Sequence, residues 1–313
     1  MRFGVKIPLM LLIATASTIT RAADFTLLDK KLQERTDAVL AMMGYSVVPD
    51  LTMASTLSIS NTDTGNPQLT MSQLAGGFTI SQDTPLYLEG GAAYSRYDPV
   101  FAVSNGTETL EVPLKWTSLM LTMGVGWDFP LTDKLKLRPI ANFAYGHLES
   151  DLSLAGRFLD YQTGEDVNFL NGGKLDSIGY GGSLMLDYED YRPEREIDVE
   201  WRYSYVRLDT YESTDDFVEG SSDAISTSLW TRWRAPTPWQ VMKRPLRYVL
   251  EAAHSTFFGD QGELGFDQLS SLGVGIEFDS SAYDMIITRT RLVFRYRFGQ
   301  DVEGTAVGLA VSF

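Results

Sequence analysis

Short runs of alternating apolar and polar residues recur along most of this chain, and they constrain its fold more than any other feature. Neighbouring side chains of a strand point to opposite faces, so each run predicts a strand with one apolar face and one polar face. Twelve such runs can be read after residue 50: 51–60, 69–81, 86–96, 115–129, 134–147, 176–188, 196–208, 223–233, 246–256, 269–278, 286–298 and 304–313.

The length of these runs points to a membrane. The chain is 44% hydrophobic, yet beyond its first twenty or so residues no stretch approaches the ~20 consecutive apolar residues of a membrane helix. About ten residues are enough for a tilted strand to cross a bilayer, and a closed barrel leaves no unpaired strand edge. The pattern therefore predicts an all-β fold: a transmembrane antiparallel β-barrel of about twelve strands, with a short N-terminal α-helix.

Aromatic residues sort into two bands when the strand directions are assigned. One band lies at the ends joined by short turns, and it contains Trp127, Phe129, Tyr188, Trp233, Tyr248 and Phe313. The other lies at the ends joined by long loops, and it contains Tyr94, Phe143, Tyr145, Tyr203, Tyr205, Tyr296 and Phe298. Amphipathic rings favour the headgroup level of a membrane. A soluble β-sandwich, the alternative, would place aromatic residues in its core without this sorting.

The ends of the chain suggest three segments. Arg2 and Lys6 precede an apolar stretch and a small-residue cleavage site, which predicts a signal peptide over 1–22; a lone membrane anchor is the alternative. Residues 23–50 form the predicted helix and its linker, and the barrel occupies 51–313. One connection, Arg234–Pro245, is long, basic and rich in proline on the side where turns should be short.

Charged residues on the inward faces form the candidate site. They are Arg289, Arg291, Arg295, Arg297, Arg202, Arg247, Glu89, Asp187, Asp198, Glu200, Glu251 and Glu277. Four arginines on one strand face repel one another unless carboxylates interleave, so we expect a lumen network in which acids such as Glu200 pair with them. A structural salt-bridge network is one interpretation, and a charged eyelet that selects anions is the other.

Small inward residues leave space beside this network. They are Gly91, Ala93, Gly124, Gly126, Gly179, Gly181, Gly273, Gly275, Ala306, Gly308 and Ala310. The helix predicted over 25–43 could occupy that space, with Gly44 at the turn side and the helix N-terminus toward the exterior. Curvature of the wall, with the helix left in the periplasm, is the alternative.

The final strand places Val307, Leu309, Val311 and Phe313 on one apolar face. This face resembles the signal that the barrel-assembly machinery reads, and we expect that machinery to be a partner.

A signal peptide, a short helix and twelve strands ending in Ala-Val-Ser-Phe together resemble the translocator barrel of autotransporters. Only Ala23 to Phe25 would precede the helix after cleavage, so the chain resembles solitary barrels of this kind that lack a passenger. The resemblance implies the Gram-negative outer membrane, with both termini periplasmic or the N-terminus inside the lumen. It implies a structural or interaction role; a narrow or gated porin-like pore is the alternative, and an outer-membrane lipid hydrolase a further one.

Little in the sequence favours catalysis. His254 and Thr256 are the pair that a lipid deacylase site would use, with Thr where such sites have Ser, and no catalytic residue is assigned. We expect no enzyme, cofactor or metal ion, although divalent cations could bridge the acidic loop Asp209–Asp223 to lipopolysaccharide phosphates. The net charge of −15 argues against nucleic acid. The expected partners are outer-membrane lipid and lipopolysaccharide, and the sequence does not indicate an oligomeric state.

Overall fold

The computed structural model describes most of the barrel. The residues that it describes are 43–44, 54–61, 68–98, 100–104, 109–113, 116–150, 174–213, 220–241, 244–259, 267–279, 289–299 and 302–312. The predicted signal peptide, most of the predicted helix and Phe313 lie outside the described residues. In the part that is described, no helix is long and apolar enough to cross a bilayer.

Fifteen strands are described in these residues. They are β1 Ala54–Asn61, β2 Gln68–Thr79, β3 Leu86–Asp98, β4 Val100–Ser104, β5 Thr109–Pro113, β6 Trp116–Trp127, β7 Phe129–Pro130, β8 Leu135–Ser150, β9 Lys174–Arg192, β10 Arg195–Ser213, β11 Ser221–Val241, β12 Arg244–Phe257, β13 Gln268–Asp279, β14 Arg289–Gly299 and β15 Val302–Ser312. Each of the twelve predicted runs overlaps one of the long strands, so the predicted all-β fold is confirmed.

These strands close into a ring. Strand β1 pairs antiparallel with both β2 and β15, and β6 pairs with both β3 and β8. The remaining neighbours follow chain order, which gives a twelve-stranded antiparallel barrel. Strands β4 and β5 form a separate ribbon between β3 and β6, and the short β7 adds to the start of β8. Each of the twelve barrel strands in the described residues thus has a neighbour on both sides, as a bilayer requires.

The barrel has two distinct ends. At the turn end, β9 and β10 are joined by a tight turn after Arg192, and β2 and β3 by residues 80–85. At the loop end, residues 151–173 separate β8 from β9. Strand β1 starts near the turn end, because Ala54 pairs with Leu309 close to the end of β15.

Burial alternates with the pleat. On β6, Met120 is 1% exposed, whereas its neighbours Leu119 and Leu121 are 44% and 46% exposed. Large apolar side chains are exposed in this way on one face of strand after strand. A surface of this kind fits the hydrocarbon of a bilayer and not water. The opposite face lines the lumen, where charged and small residues are buried.

The prediction that Arg234–Pro245 is a long connection is wrong. Strand β11 continues to Val241 and β12 begins at Arg244, so most of this segment is an extended hairpin. The register shifts between Pro236 and Gln240, where the prolines cannot donate to the ladder. Arg234 consequently lies within a strand and faces the lumen, 3% exposed.

Candidate functional site: the charged lumen

The central feature of the lumen is an ion pair that crosses it. Glu89 on β3 and Arg202 on β10 are four strands apart around the barrel, yet Arg202 donates two hydrogen bonds to Glu89, of 2.7 and 2.8 Å. Their side chains are only 1% and 2% exposed. Asn142 donates a third bond to Glu89, of 2.7 Å, and Ser183 accepts from Arg202. Because neither charge reaches water, each one is compensated by the other.

Glycines in the wall make room for these side chains. A Cβ on Gly124 would lie 2.6 Å from the side chain of Glu89, and a Cβ on Gly308 would overlap the guanidinium of Arg295. The small sector predicted from the sequence therefore accommodates barrel side chains at these two positions.

A second cluster lies toward the turn end, and Arg234 is at its centre. This side chain bonds Glu277 at 3.0 Å, Glu196 at 2.9 Å and Asp198 at 3.2 Å. Glu196 on β10 also bonds Arg289 on β14 at 2.7 Å, another contact between strands that are not neighbours. Opposite charges therefore interleave across the barrel here.

A third cluster surrounds Arg138 on β8. Its guanidinium bonds Asp128 and, at 3.1 Å, Asp187, and it stacks over the ring of Tyr87 with 3.9 Å to the ring centroid. Thr79 donates to Asp128 at 2.7 Å. Salt bridge, hydrogen bond and cation–π contact together satisfy a buried arginine.

The other residues predicted from the sequence are also inside. Arg291 bonds Glu277 at 3.0 Å, Arg295 bonds Glu251 at 2.5 Å, and Arg247 bonds Glu196. Asp198 also accepts from Arg232 at 2.9 Å, and Arg297 is 9% exposed.

Glu200 differs from the pairing expected for it. Its Oε2 atom is buried without a hydrogen bond, and among the described residues no cation lies within salt-bridge distance. Its cross-strand neighbours are Asp187 and Trp230.

Several members of the network were not among the site residues predicted from the sequence. They are Asp128, Lys136, Arg138, Glu196, Arg232 and Arg234. The strand parity that placed Asp187 and Asp198 inward applies equally to Lys136, Arg138, Glu196 and Arg232, so that signal was present. Parity gave the same signal for Asp128, which lies in the predicted run 115–129 between Trp127 and Phe129. Arg234 lies in the segment predicted as a connection, so parity gave no signal for it.

The lumen changes character toward the loop end. Large apolar side chains point inward there, beside buried serines, and they are almost completely covered: Trp116, Met120, Leu148, Leu175 and Leu208 are all 0–2% exposed. Met43, which has helical backbone, is itself 0% exposed. Its sulfur lies 3.9 Å from the Ser177 hydroxyl, and its methyl group occupies the space that a Cβ on Gly146 would take. Met43 is therefore inside the barrel, near the loop end.

A cavity of about 350 Å³ lies toward the turn end. Its walls include Tyr87, Arg138, Glu200, Trp230 and Arg232. The interior of the barrel thus combines a covered apolar region near the loop end with a charged recess near the turn end.

The outward face carries two polar features. Near the loop end, four tyrosine hydroxyls bond carboxylates over 2.9–3.1 Å: Tyr145 to Asp176, Tyr180 to Asp209, Tyr205 to Asp223 and Tyr296 to Glu303. His254 contacts Ser270 at 2.9 Å and Thr256 at 3.4 Å. No carboxylate bonds His254 in the described part of the chain, so the acid of a hydrolytic triad is missing there.

Comparison with known proteins agrees with this architecture. The autotransporter beta-domain model matches residues 51–153. The transport unit of the autotransporter AIDA-I from Escherichia coli is 13% identical, with a TM-score of 0.50, over 90% of this chain and 99% of that one. The NalP translocator domain from Neisseria meningitidis is 13% identical, with a TM-score of 0.45, over 94% and 99%. The beta domain of the Bordetella autotransporter BrkA is 16% identical, with a TM-score of 0.48, over 83% and 98%.

No curated protein sequence matches the chain. At these identities the structural matches concern the fold. The chain has the fold of an autotransporter-like β-barrel, and the resemblance of its barrel to autotransporter translocator barrels is confirmed.

Proposed function

We propose that this protein is a self-occluded outer-membrane barrel, whose own N-terminal segment fills the lumen and whose loops carry a structural or interaction role. The observation that carries the proposal is the burial of Met43 between the inner faces of β6, β8 and β9. A residue that precedes the first barrel strand contacts the lumen wall, so the chain before β1 enters the barrel.

The size of the barrel supports this proposal. Eight strands enclose a space that side chains alone fill, whereas sixteen leave an aqueous channel. Twelve strands lie between these cases. Where the inward side chains of such a barrel are fully covered, another part of the chain must therefore occupy the lumen beside them. Leu148, Leu175 and Leu208 are 0% exposed near the loop end. A helix, about 10–12 Å across, is a filler of suitable width.

A narrow or gated pore is the second candidate, and the cavity near the turn end favours it. Its charged walls would admit water and small solutes to part of the lumen. The two functions differ in whether a continuous aqueous path exists while the N-terminal segment is present.

Planar-bilayer conductance distinguishes the two candidates. The chain without residues 1–22 should show little conductance, and deletion of residues 24–43 should open a larger and steadier channel. An outward substitution, Asp209→Asn, is the matched control, because Asp209 bonds Tyr180 and Arg207 on the outer face. A full chain that conducts as well as the deletion variant would contradict the plug and support the pore.

A further inference from the structure

A cluster of polar side chains joins the loop ends of β8 and β9 on the outer face of the barrel. Asp176 on β9 accepts a hydrogen bond of 3.0 Å from Tyr145 and contacts the Nδ1 atom of His147 at 2.5 Å. The Nε2 atom of His147 lies 3.3 Å from Glu149, which in turn bonds Lys174 at 2.9 Å. The imidazole of His147 therefore lies between two carboxylates, one on each strand.

Two simultaneous hydrogen bonds from this imidazole require its protonated form. A neutral imidazole carries one N–H group, and its other nitrogen can only accept. An ionised carboxylate also only accepts, so a neutral His147 can bond either Asp176 or Glu149, but not both. The imidazolium has an N–H group on each nitrogen and can donate to both carboxylates at once. The observed geometry thus fits the charged ring.

The charges around the ring favour the same form. Asp176 and Glu149 contribute two negative charges, and Lys174 contributes one positive charge. Glu212, the cross-strand neighbour of Asp176 on β10, adds a third carboxylate. A proton on His147 consequently reduces an excess of negative charge at this corner of the barrel.

The ring lies outside the hydrocarbon of the bilayer. Tyr145 belongs to the loop-end aromatic band, which marks the headgroup level, and His147 is two residues further toward the loop end of β8. Strand β6 places Leu119 and Thr117, neither of which titrates, beside this part of β8. The hydrogen bond with Asp176 raises the pKa of His147 above its ordinary value of 6.5.

We propose that protonation of His147 clamps the loop ends of β8 and β9 together, so that this corner of the barrel resists local opening better at acid pH. The clamp lies at the base of the connection formed by residues 151–173. It is independent of the proposed plug, because its side chains lie on the outer face.

The sign of the pH dependence follows from the direction of the shift. The stability that His147 contributes is fully present below its unfolded-state pKa of about 6.5, and it is lost as pH rises through the higher pKa of the folded state. Between pH 5.5 and pH 9 the carboxylates stay ionised and the lysine stays protonated. His147 is therefore the member of the cluster that changes charge in this range.

Nuclear magnetic resonance of the histidine rings tests the pairing, because the chain has only two histidines. With the protein in lipid nanodiscs, His147→Gln removes one ring signal and His254→Gln removes the other, which assigns both. The His147 signal should titrate above pH 6.5, and Asp176→Asn should lower its midpoint. An unchanged midpoint in a folded Asp176→Asn barrel would overturn the pairing.

Amide hydrogen exchange tests the clamp itself. The backbone amides of residues 146–150 and 174–177 are compared between the unaltered protein and His147→Gln at the same pH, so that the intrinsic pH dependence of exchange cancels. At pH 5.5 these amides should exchange roughly two- to fivefold more slowly in the unaltered protein, as expected for partly exposed ion pairs. At pH 9 the two proteins should exchange alike. An equal ratio at both pH values would contradict a proton-dependent clamp.

Two further variants control this comparison. His254→Gln should leave the same amides unchanged, because His254 contacts Ser270 and Thr256 on β12 and β13 instead. His147→Arg carries a permanent positive charge with several N–H donors, so it should keep exchange slow at both pH 5.5 and pH 9. If a folded His147→Arg barrel exchanges as fast as His147→Gln at both pH values, a positive charge at this position does not hold the strands together and the proposal is wrong.

Discussion

The ion pair between Glu89 and Arg202 provides the sharpest test of a dry lumen. We expect Glu89→Gln, which keeps the shape but removes the negative charge, to leave the Arg202 guanidinium buried without a counter-ion. Breaking a buried pair in this way costs about 3–5 kcal/mol of unfolding free energy. The estimate applies here because the two side chains are only 1% and 2% exposed and share two hydrogen bonds.

A surface pair on the same strand gives the matched control. Arg207 and Asp209 on β10 also form a salt bridge, of 2.9 Å, but their side chains are 39% and 33% exposed. Asp209→Asn should therefore cost no more than about 1 kcal/mol. High salt should weaken the surface pair further and leave the lumen pair almost unchanged, because solvent ions screen exposed charges far better than buried ones.

Urea unfolding of the barrel in lipid vesicles, followed by tryptophan fluorescence and by heat-dependent gel mobility, measures both effects. The double variant Glu89→Met with Arg202→Met should be more stable than Glu89→Gln, since an apolar replacement removes the unpaired charge. If Glu89→Gln costs no more than Asp209→Asn, water reaches Glu89 and the argument for a dry lumen at this level is wrong.

Two further predictions concern the wall and the last strand. Gly308→Ala should lower the free energy of unfolding by about 1–3 kcal/mol, because its methyl group would displace the Arg295 guanidinium. Gly90→Ala is the control and should be tolerated, because the atom nearest to its added Cβ would lie at an ordinary 3.5 Å. The urea unfolding midpoints of the two variants measure the difference. Deletion of Phe313 should reduce the amount of heat-modifiable barrel in the outer membrane, whereas Ser312→Ala should not; a normal yield from the deletion variant would argue against an assembly signal.

The fold was predictable because the strands of a membrane barrel alternate apolar and polar residues along the sequence. Lipid on one side and a polar lumen on the other impose a period of two, so the faces of Leu121, Glu89 and Arg202 could all be assigned without coordinates. The ends of strands were less predictable. Prolines such as Pro236 suggested a connection, but the extended hairpin tolerates them at a register shift.

Pairing partners inside the lumen could not be read in the same way. Parity states that a side chain points inward, but not which residue it meets across the barrel. Arg202 meets Glu89, four strands away, because stagger and tilt bring these two to one level. Glu200 carries the same parity signal and has no such partner among the described residues, so the expectation that it pairs with arginines was wrong.

The direction of the N-terminal segment illustrates the same limit for the chain path. Strand β1 begins near the turn end, and the short distance in sequence between Gly44 and Ala54 suggested that the helix must end there as well. Yet nine residues, 45–53, can span up to about 30 Å when extended, which is comparable to the height of the apolar band. Chain connectivity therefore permits Gly44 to lie at either level, and the contact of Met43 with Ser177 near the loop end contradicts the expectation that Gly44 lies at the turn side.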